Sequence, residues 1–357
     1  MKYFFLLIVF GLALQVQSQS FWIRGTVIDS AQGQPMAKAS VFCQSTSLGT
    51  VTNAEGSFAL ELPNGGYDLI ISFTGYEKKV LRISPESAAE PLRIVLSPQD
   101  RSLQEVAVVG STAIPDGWTK YGSFFNEQFI GSTPNAAKCS IENPESLKFY
   151  FSKKKNRLKV MATEPIRVHN AALGYRIHYE LDSFTYEYDL KLSTLSGNPR
   201  FESLSGSATD SAQWSTNRMI AYRGSRIHFM KSWYQQRLNE EGFGLEWIED
   251  ESKFITREIN NPYDSTLLSP DSMATEIVYV GLLRVKYRGE TPHADYVKAY
   301  KLPAQIRVQM SVLRITDPFI IEENGYFYEQ TAVTNAGYWS WEKVADLMPY
   351  DWNPSPL

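Results

Sequence analysis

Between Phe21 and Ser97 short runs of alternating apolar and polar residues recur at close intervals: FWIRGTVID, ASVFCQ, LGTVT, SFALEL, YDLIISF, KKVLRI and LRIVL. Alternation with period two puts every second side chain on one face of a strand, so each run reads as a half-buried strand. A series of such strands divided by turn residues predicts a small β-sandwich of seven strands. Asn53 and Gly56, in NAEG, suit a tight hairpin between LGTVT and SFALEL. Gly56, Gly65, Gly66 and Gly75 fall where the chain must reverse, and glycine reaches positive φ without a Cβ penalty, so they read as structural turn residues.

Beyond a linker around STAIPDG the alternation returns in longer form. In GYRIHYELDSFTYEYDLKL, Tyr175, Ile177, Tyr179 and Leu181 share one face and Arg176, His178, Glu180 and Asp182 the other; the apolar set then resumes at Phe184, Tyr186, Tyr188 and Leu190. These are half-buried antiparallel strands. LKFYFSKKKNRLKVMAT reads as a hairpin with a basic loop, and FIIEENGYFYEQ as a hairpin whose Asn324 and Gly325 fit a type I′ turn. Helical patterns are few. Residues 225–241 start at Ser225 as N-cap and stop at Gly242, with Ile227, Met230, Tyr234 and Leu238 near one stripe, and SWEKVADLM is capped by Ser340 and stopped before Pro349. The expected fold is mainly β: a sandwich, then an antiparallel β-rich α+β domain with a few helices.

The N-terminus reads differently from either region. Lys2 precedes the apolar run YFFLLIVFGLAL, which is of signal-peptide rather than spanning length, and VQS supplies the cleavage positions. Residues 1–18 are the expected leader and Gln19 the mature start. No cysteine follows the run to carry a lipid, and EIVYVGLLRV, the longest later apolar stretch, is too short to span a bilayer and reads as a buried strand. The expected division is therefore 1–18 leader, 19–97 sandwich, 98–117 last strand or linker, and 118–357 β-rich domain.

GTVID, GQPMAKASV, GTVTNAEGSF, PNGGYDLIISFTGY and the closing LRIVL, in this order, resemble the carboxypeptidase regulatory-like domain, a transthyretin-like sandwich. That domain is an accessory to zinc carboxypeptidases and carries none of their metal ligands, so the resemblance implies a folding or interaction module. In starch-utilisation-type TonB-dependent receptors the same sandwich is followed by a segment similar to LQEVAVVG (103–110), then by a plug and a transport barrel. Here about 250 residues follow Gly110. A barrel of roughly 22 strands at about 10 residues each takes ~220 of them before plug and loops are counted. The receptor is excluded on length, and EVAVV reads as a last strand or linker. A smaller barrel fits the length, but the helical segments and the terminus PYDWNPSPL sit badly in a closed sheet. More loosely, FFNEQFIGSTPNAAKCSIENP, ALGYRIHYEL, YRGSRIHFM and WEKVADLMPYDW resemble envelope proteins that open with the same sandwich, a likeness that implies architecture and no mechanism.

Composition narrows the function classes. Thirty-five basic and 39 acidic residues, mixed along the chain for a formal charge of −4, leave no basic patch for nucleic acid and no polybasic membrane signal. Aromatic residues make up 13%, which favours strand faces. Cys43 and Cys139 are the only cysteines; two so far apart are no disulfide framework, so buried thiols are the preferred reading and a bridge across the domain junction the other. His169, His178, His228 and His293 form no HxH, HxxE or HExxH pattern, so no metal and no cofactor is expected. His178, between Arg176 and Glu180 on its strand face, is the histidine to watch, while His228 reads as a capping or packing residue. No GxSxG elbow, phosphate loop or dinucleotide fingerprint occurs. EEGFGLEWIEDE concentrates carboxylates; two of them in a glycosidase pair is one reading, and an acidic helix end before a solvated strand is the preferred one.

Four triplets, DSA at Ser30, DSA at Ser211, DST at Ser265 and DSM at Ser272, resemble the D(S/T)-apolar acceptor of bacterial envelope O-glycosylation; acceptor sites and coincidence in polar loops stand as equal readings. The expectation is an exported, non-enzymatic protein of the periplasm or outer-membrane periphery of a Gram-negative bacterium, not membrane-spanning after leader removal. It presents a surface to an envelope protein or glycan, with Trp214, Trp233 and Trp247 as candidate sugar-stacking rings, burial being the preferred reading for each. The alternatives are a hydrolase of unrecognised type in residues 115–357, using carboxylates or His178, and a small outer-membrane barrel.

Overall fold

The computed structural model describes residues 20–99, 113–253, 255–270 and 275–354. The expected leader (1–18) and LQEVAVVG (103–110) lie outside the described residues. The N-terminal region is a seven-stranded β-sandwich. One sheet has the order β4-β1-β7, built from β1 (Ser20–Asp29), β4 (Ser57–Pro63) and β7 (Leu92–Leu96), with β1 antiparallel to β4 and parallel to β7. The other has the order β3-β2-β5-β6, from β2 (Ser40–Cys43), β3 (Gly49–Val51), β5 (Tyr67–Ser72) and β6 (Lys79–Ile83). Inward residues of both sheets, among them Ile23, Val27, Val41, Leu60, Leu69 and Ile94, make one core. The turn at Asn53–Gly56 closes as expected, with Gly56 N–H donating to the Asn53 carbonyl at 3.0 Å. It is not a hairpin turn, however: β3 and β4 belong to different sheets, so it is a corner that carries the chain across the sandwich.

The second region is α+β. A helix, α1 (Gly117–Phe129), lies against a six-stranded sheet of β8 (Cys139–Ile141), β9 (Leu147–Ser152), β10 (Arg157–Ala162), β11 (Ile166–Asn170), β12 (Tyr175–Glu187) and β13 (Leu192–Ser203). LKFYFSKKKNRLKVMAT forms the expected hairpin, β9–β10. β12 organises the sheet, pairing with β11 along its first half, β10 along its second, and β13 along its other edge. The shift of the apolar set from Leu181 to Phe184 is a register irregularity between Leu181 and Ser183, an extra residue that restores the core-facing phase. Phe125, Phe129, Phe149, Ile177 and Phe184 are fully buried beneath it.

Next come α2 (Ala208–Tyr222) and α3 (Arg226–Tyr234). Ser225 caps α3 as expected, its hydroxyl accepting from His228 N–H at 3.2 Å. The helix ends at Tyr234 rather than at 241, and it is buried all round instead of along one stripe. Ile227 enters the first core and Phe229, Met230 and Trp233 enter a second core. That core lies under a sheet of order β15-β14-β18-β19-β21, comprising β14 (Phe243–Asp250), β15 (Ile255–Ile259), β18 (Gly281–Tyr287), β19 (Gln309–Ile315) and β21 (Val333–Gly337). A small sheet of β16 (Leu268–Pro270), β17 (Thr275–Ile277) and β20 (Phe319–Ile321) lies beside it. Two short helices, α4 (Ala294–Ala299) and α5 (Tyr338–Trp341), complete the region. SWEKVADLM is not a helix capped by Ser340: α5 stops at Trp341 and only a 3-10 turn, Val344–Asp346, follows. At 322–325 the chain reverses with Gly325 alone at positive φ, +81°, so the turn is not type I′, which needs positive φ at Asn324 as well.

Among the described residues no sheet closes on itself, which overturns the small-barrel alternative. No helix among them is long and apolar enough to cross a membrane. Cys43 and Cys139 are both free thiols, one in the sandwich core and the other packed against the first core of the second region.

The two regions are joined by polar bonds. The Tyr326 hydroxyl donates to Asp68 at 2.7 Å, Ser72 donates to Glu180 at 2.6 Å, and Gly66 N–H donates to Glu322 at 3.3 Å. Burial pushes all three carboxyls above their ordinary range. Arg82 bonds Glu329 at 3.1 Å and lies over the Tyr328 ring at 3.6 Å. The C-terminal segment adds Tyr350 N–H to the Ser45 carbonyl at 2.9 Å. Gly56, Gly65 and Gly75 stand at φ +68°, +137° and +87°. Gly66 does not, contrary to the turn reading: it is glycine because a Cβ there would run into Glu322 and the Tyr328 hydroxyl.

Candidate functional site

Sheet register builds a row of polar side chains on the solvent side of the six-stranded sheet. His169 on β11 is opposite Ser140 on β8 and Arg176 on β12, and Arg176 is opposite Glu202 on β13. Because facing residues of neighbouring strands point to the same side, the four lie across the sheet in one line. Glu142, just past β8, closes the row: Arg176 donates to it through Nε at 2.9 Å and Nη2 at 3.2 Å, and to Glu202 through Nη1 at 3.3 Å. His178, one step along β12, bonds Glu202 through Nε2 at 2.8 Å. Burial lowers the His178 pKa against the opposing pull of Glu202, and the bond from His178 holds Glu202 below its ordinary range, so near neutrality a neutral imidazole meets a carboxylate.

Helix α2 covers one end of this row. Its capping box, Ser207 with Asp210, fixes the first turn. Three side chains further along the helix bond carbonyls of the tight turn at 171–174: Trp214 Nε1 to Ala171 at 3.0 Å, Asn217 to Ala172 at 2.7 Å and Arg218 to Leu173 at 2.7 Å. The Trp214 ring fits against two glycines, since a Cβ at Gly174 or Gly206 would strike the indole. Between α2 and the sheet is an open groove of about 520 Å³, lined by His169, Arg176, Glu202, Ser205, Asp210 and Trp214. A second, smaller groove of about 320 Å³ includes Trp247, Arg257, Asn260 and Asp264. There the Trp247 and Tyr279 rings are 4.5 Å apart at 60°.

The sequence-derived candidates separate. Trp214 and Trp247 each line a groove, whereas Trp233 is fully buried with its indole N–H on the Pro262 carbonyl, so it is no stacking surface. His228 is buried between Tyr222, Phe243 and Tyr287 and bonds Glu241 at 3.3 Å, a packing role. His293 caps α4 by accepting from Asp295 N–H at 3.2 Å. The carboxylates of EEGFGLEWIEDE are taken up one by one: Glu241 by Arg237, Glu246 by Arg284 and Lys286, Glu249 by Arg257 and Glu251 by Arg314. Among the described residues no three or more of His, Cys, Asp and Glu are placed to hold a metal ion. Ser30, Ser211 and Ser265 are exposed, Ser211 in the first turn of α2; Ser272 lies outside the described residues. Glu202 escaped sequence reasoning, His169 was weighed only as a metal ligand and Asp210 only as part of the DSA triplet, although the Ser207-x-x-Asp210 box was legible as a helix start.

Residues 23–108 match the family model of the CarboxypepD_reg-like domain. The match covers the sandwich and leaves both grooves outside the domain. The TonB-dependent receptor SusC of Bacteroides thetaiotaomicron is 28% identical over 107 residues, which are 29% of this chain and 10% of the receptor. The matched segment is thus a tenth of that protein. Two solved structures are similar at low level. The 3-chlorocatechol 1,2-dioxygenase of Rhodococcus opacus 1CP shows 14% identity, covering 23% of this chain and 60% of its own, at a TM-score of 0.18. A DUF3823 family protein of Bacteroides ovatus shows 12% identity, covering 53% of this chain and 83% of its own, at 0.15.

Proposed function

We propose that this chain is an exported, non-enzymatic protein of a Gram-negative cell envelope, in which the CarboxypepD_reg-like domain (19–97, with a linker at 98–117) and the α+β region (118–357) together bind a glycan or scaffold a protein. A neutral glycan in the Trp214 groove is the favoured partner. The reading is supported by the apolar leader, by the likeness of the first domain to part of a TonB-dependent receptor of Bacteroides, and by the chemistry of the groove. One observation carries it. Trp214 is held at its N–H and lines a groove whose one guanidinium, Arg176, is already shared by Glu142 and Glu202. A pre-oriented aromatic ring beside paired polar groups suits a flat, hydroxyl-rich, uncharged ring, because stacking needs little further ordering and hydroxyls can both donate and accept.

The test is titration calorimetry against a panel of neutral oligosaccharides, with Arg176→Ala and Trp214→Ala beside the wild type. The reading expects at least tenfold weaker binding in both variants, with Arg176→Ala keeping the wild-type melting curve; absence of binding to every oligosaccharide defeats it. The His178–Glu202 pair beside the groove favours a second reading, a hydrolase using His178 as base. Turnover of a bound glycan, abolished in His178→Ala, would select it over simple binding.

A further inference from the structure

The outer edge of β13 is occupied along one part and open along another. At its C-terminal part the turn after β2 of the sandwich bonds it: Ser45 N–H donates to the Pro199 carbonyl at 2.8 Å, and Phe201 N–H donates to the Thr46 carbonyl at 2.9 Å. Residues 192–197, the stretch Leu-Ser-Thr-Leu-Ser-Gly, have β12 on one side and, among the described residues, no strand on the other. Open strand edges template further pairing, and proteins blunt them with charge, proline or shortness. The other edge strands apart from β21 do so. β4 carries Glu61 and Pro63, β6 carries Lys79 and Arg82, β7 carries Arg93, β9 carries Lys148, and β15 carries Arg257 and Glu258. β3, β8, β16 and β20 have three residues each, and in β21 the Asn335 side chain is met by Arg226 at 3.3 Å.

Residues 192–197 have no charge and no proline, and they expose Leu192 at 55% and Leu195 at 36%, next to Leu190 at 67%. We propose that this stretch is a dimerisation edge, on which β13 of a second copy of the chain adds antiparallel about a two-fold axis. In the occupied part the outward N–H and C=O groups already bond another segment's backbone, and the free part continues directly from that contact. Two-fold antiparallel pairing sets each residue of 192–197 against another of the same stretch. With only Leu, Ser, Thr and Gly present, every facing pair is apolar or hydroxyl-bearing and no like charges meet. Lys191 at one end and the sandwich loop at the other limit the pairing to this stretch, so a reversible dimer is expected rather than a filament.

Sedimentation equilibrium of the mature chain tests this. The wild type is expected to show a monomer–dimer equilibrium, and Thr194→Lys, which puts like charges across the axis, is expected to weaken it at least tenfold with the melting curve unchanged. Should Thr194→Lys fail to fold, Thr194→Glu makes the same test. A wild type that stays monomeric up to its solubility limit overturns the proposal, as does a dimer that is equally tight in the folded variant. A monomer that instead binds an added extended Leu/Ser peptide assigns the edge to a foreign strand and also overturns it.

Discussion

Gly66→Ala adds one methyl group where the sandwich meets the second region. Gly66 is outside the positive-φ set, so alanine takes the native backbone without strain and the cost is steric. The new Cβ would lie 2.5 Å from Glu322 Oε1 and nearer still to the Tyr328 hydroxyl, and Tyr328 is itself pinned beneath Arg82. Overpacking of this kind costs about 1–3 kcal/mol. Driving Glu322 aside also breaks its bond from Gly66 N–H, worth on the order of 1 kcal/mol. Urea unfolding of Gly66→Ala should therefore show a loss of about 2–4 kcal/mol. Tyr328→Phe removes the nearest atom together with its bond to Glu322, so Gly66→Ala should cost about 1–2 kcal/mol less in the Tyr328→Phe background than in the wild type. Gly75→Ala is the control: φ is +87° with nothing within 4 Å of its Cβ, so it should cost about 1 kcal/mol and not respond to Tyr328→Phe. A Gly66→Ala protein within about 0.5 kcal/mol of wild type, which is the usual spread of neutral surface changes, would refute the steric argument.

The remaining predictions concern titration, thiols and modification. Burial pushes the Asp346 carboxyl up to about 6, against the bonds it accepts from Thr133 and Asn135. A carboxyl raised in the folded state makes folding take up a proton, so its contribution is fully present below the unfolded value and is lost as pH rises through about 6. It amounts to at most about 3 kcal/mol, and the fall in unfolding free energy between pH 4 and 7 should be smaller by up to that amount in Asp346→Asn, the raised carboxyls of Asp68, Glu180 and Glu322 keeping the remainder. Burial lowers the Lys231 ammonium to about 8 where it bonds the Trp352 carbonyl at 2.9 Å, so stability should rise from pH 8 toward 10 and lose that rise in Lys231→Met. Burial raises both thiols, Cys139 to about 12, so neither should react with a thiol reagent at pH 8 in the folded protein, and both should react after denaturation without reductant. If the D(S/T)-apolar triplets are acceptors, protein from its native host should exceed the polypeptide mass by whole glycans, and Ser30→Ala, Ser211→Ala or Ser265→Ala should each remove one; the bare mass would reject all four sites.

Sequence by itself determined the features that depend on neighbours along the chain. Alternation gave the seven strands of the sandwich and the long strand β12, and the change of phase after Leu181 already contained the bulge, because a core-facing strand cannot gain a residue without moving its apolar set. Ser225 marked a helix start for the same local reason, since its hydroxyl needs only the N–H of His228. Helix α1 was missed although Trp118, Tyr121, Phe125 and Phe129 run along one face, because its glycines and aromatic residues are weak helix formers that packing against the sheet stabilises. The end of α3 was misplaced because burial between two cores, not the amphipathic stripe, sets its length. Only the tertiary structure decided the rest. The groove gathers His169, Arg176, Glu202 and Trp214 from three strands and a helix, and their meeting depends on strand register and on the carbonyls that α2 bonds at 171–174. The reason for Gly66 and the open edge at 192–197 likewise lie in contacts between segments far apart in sequence, which no local periodicity encodes.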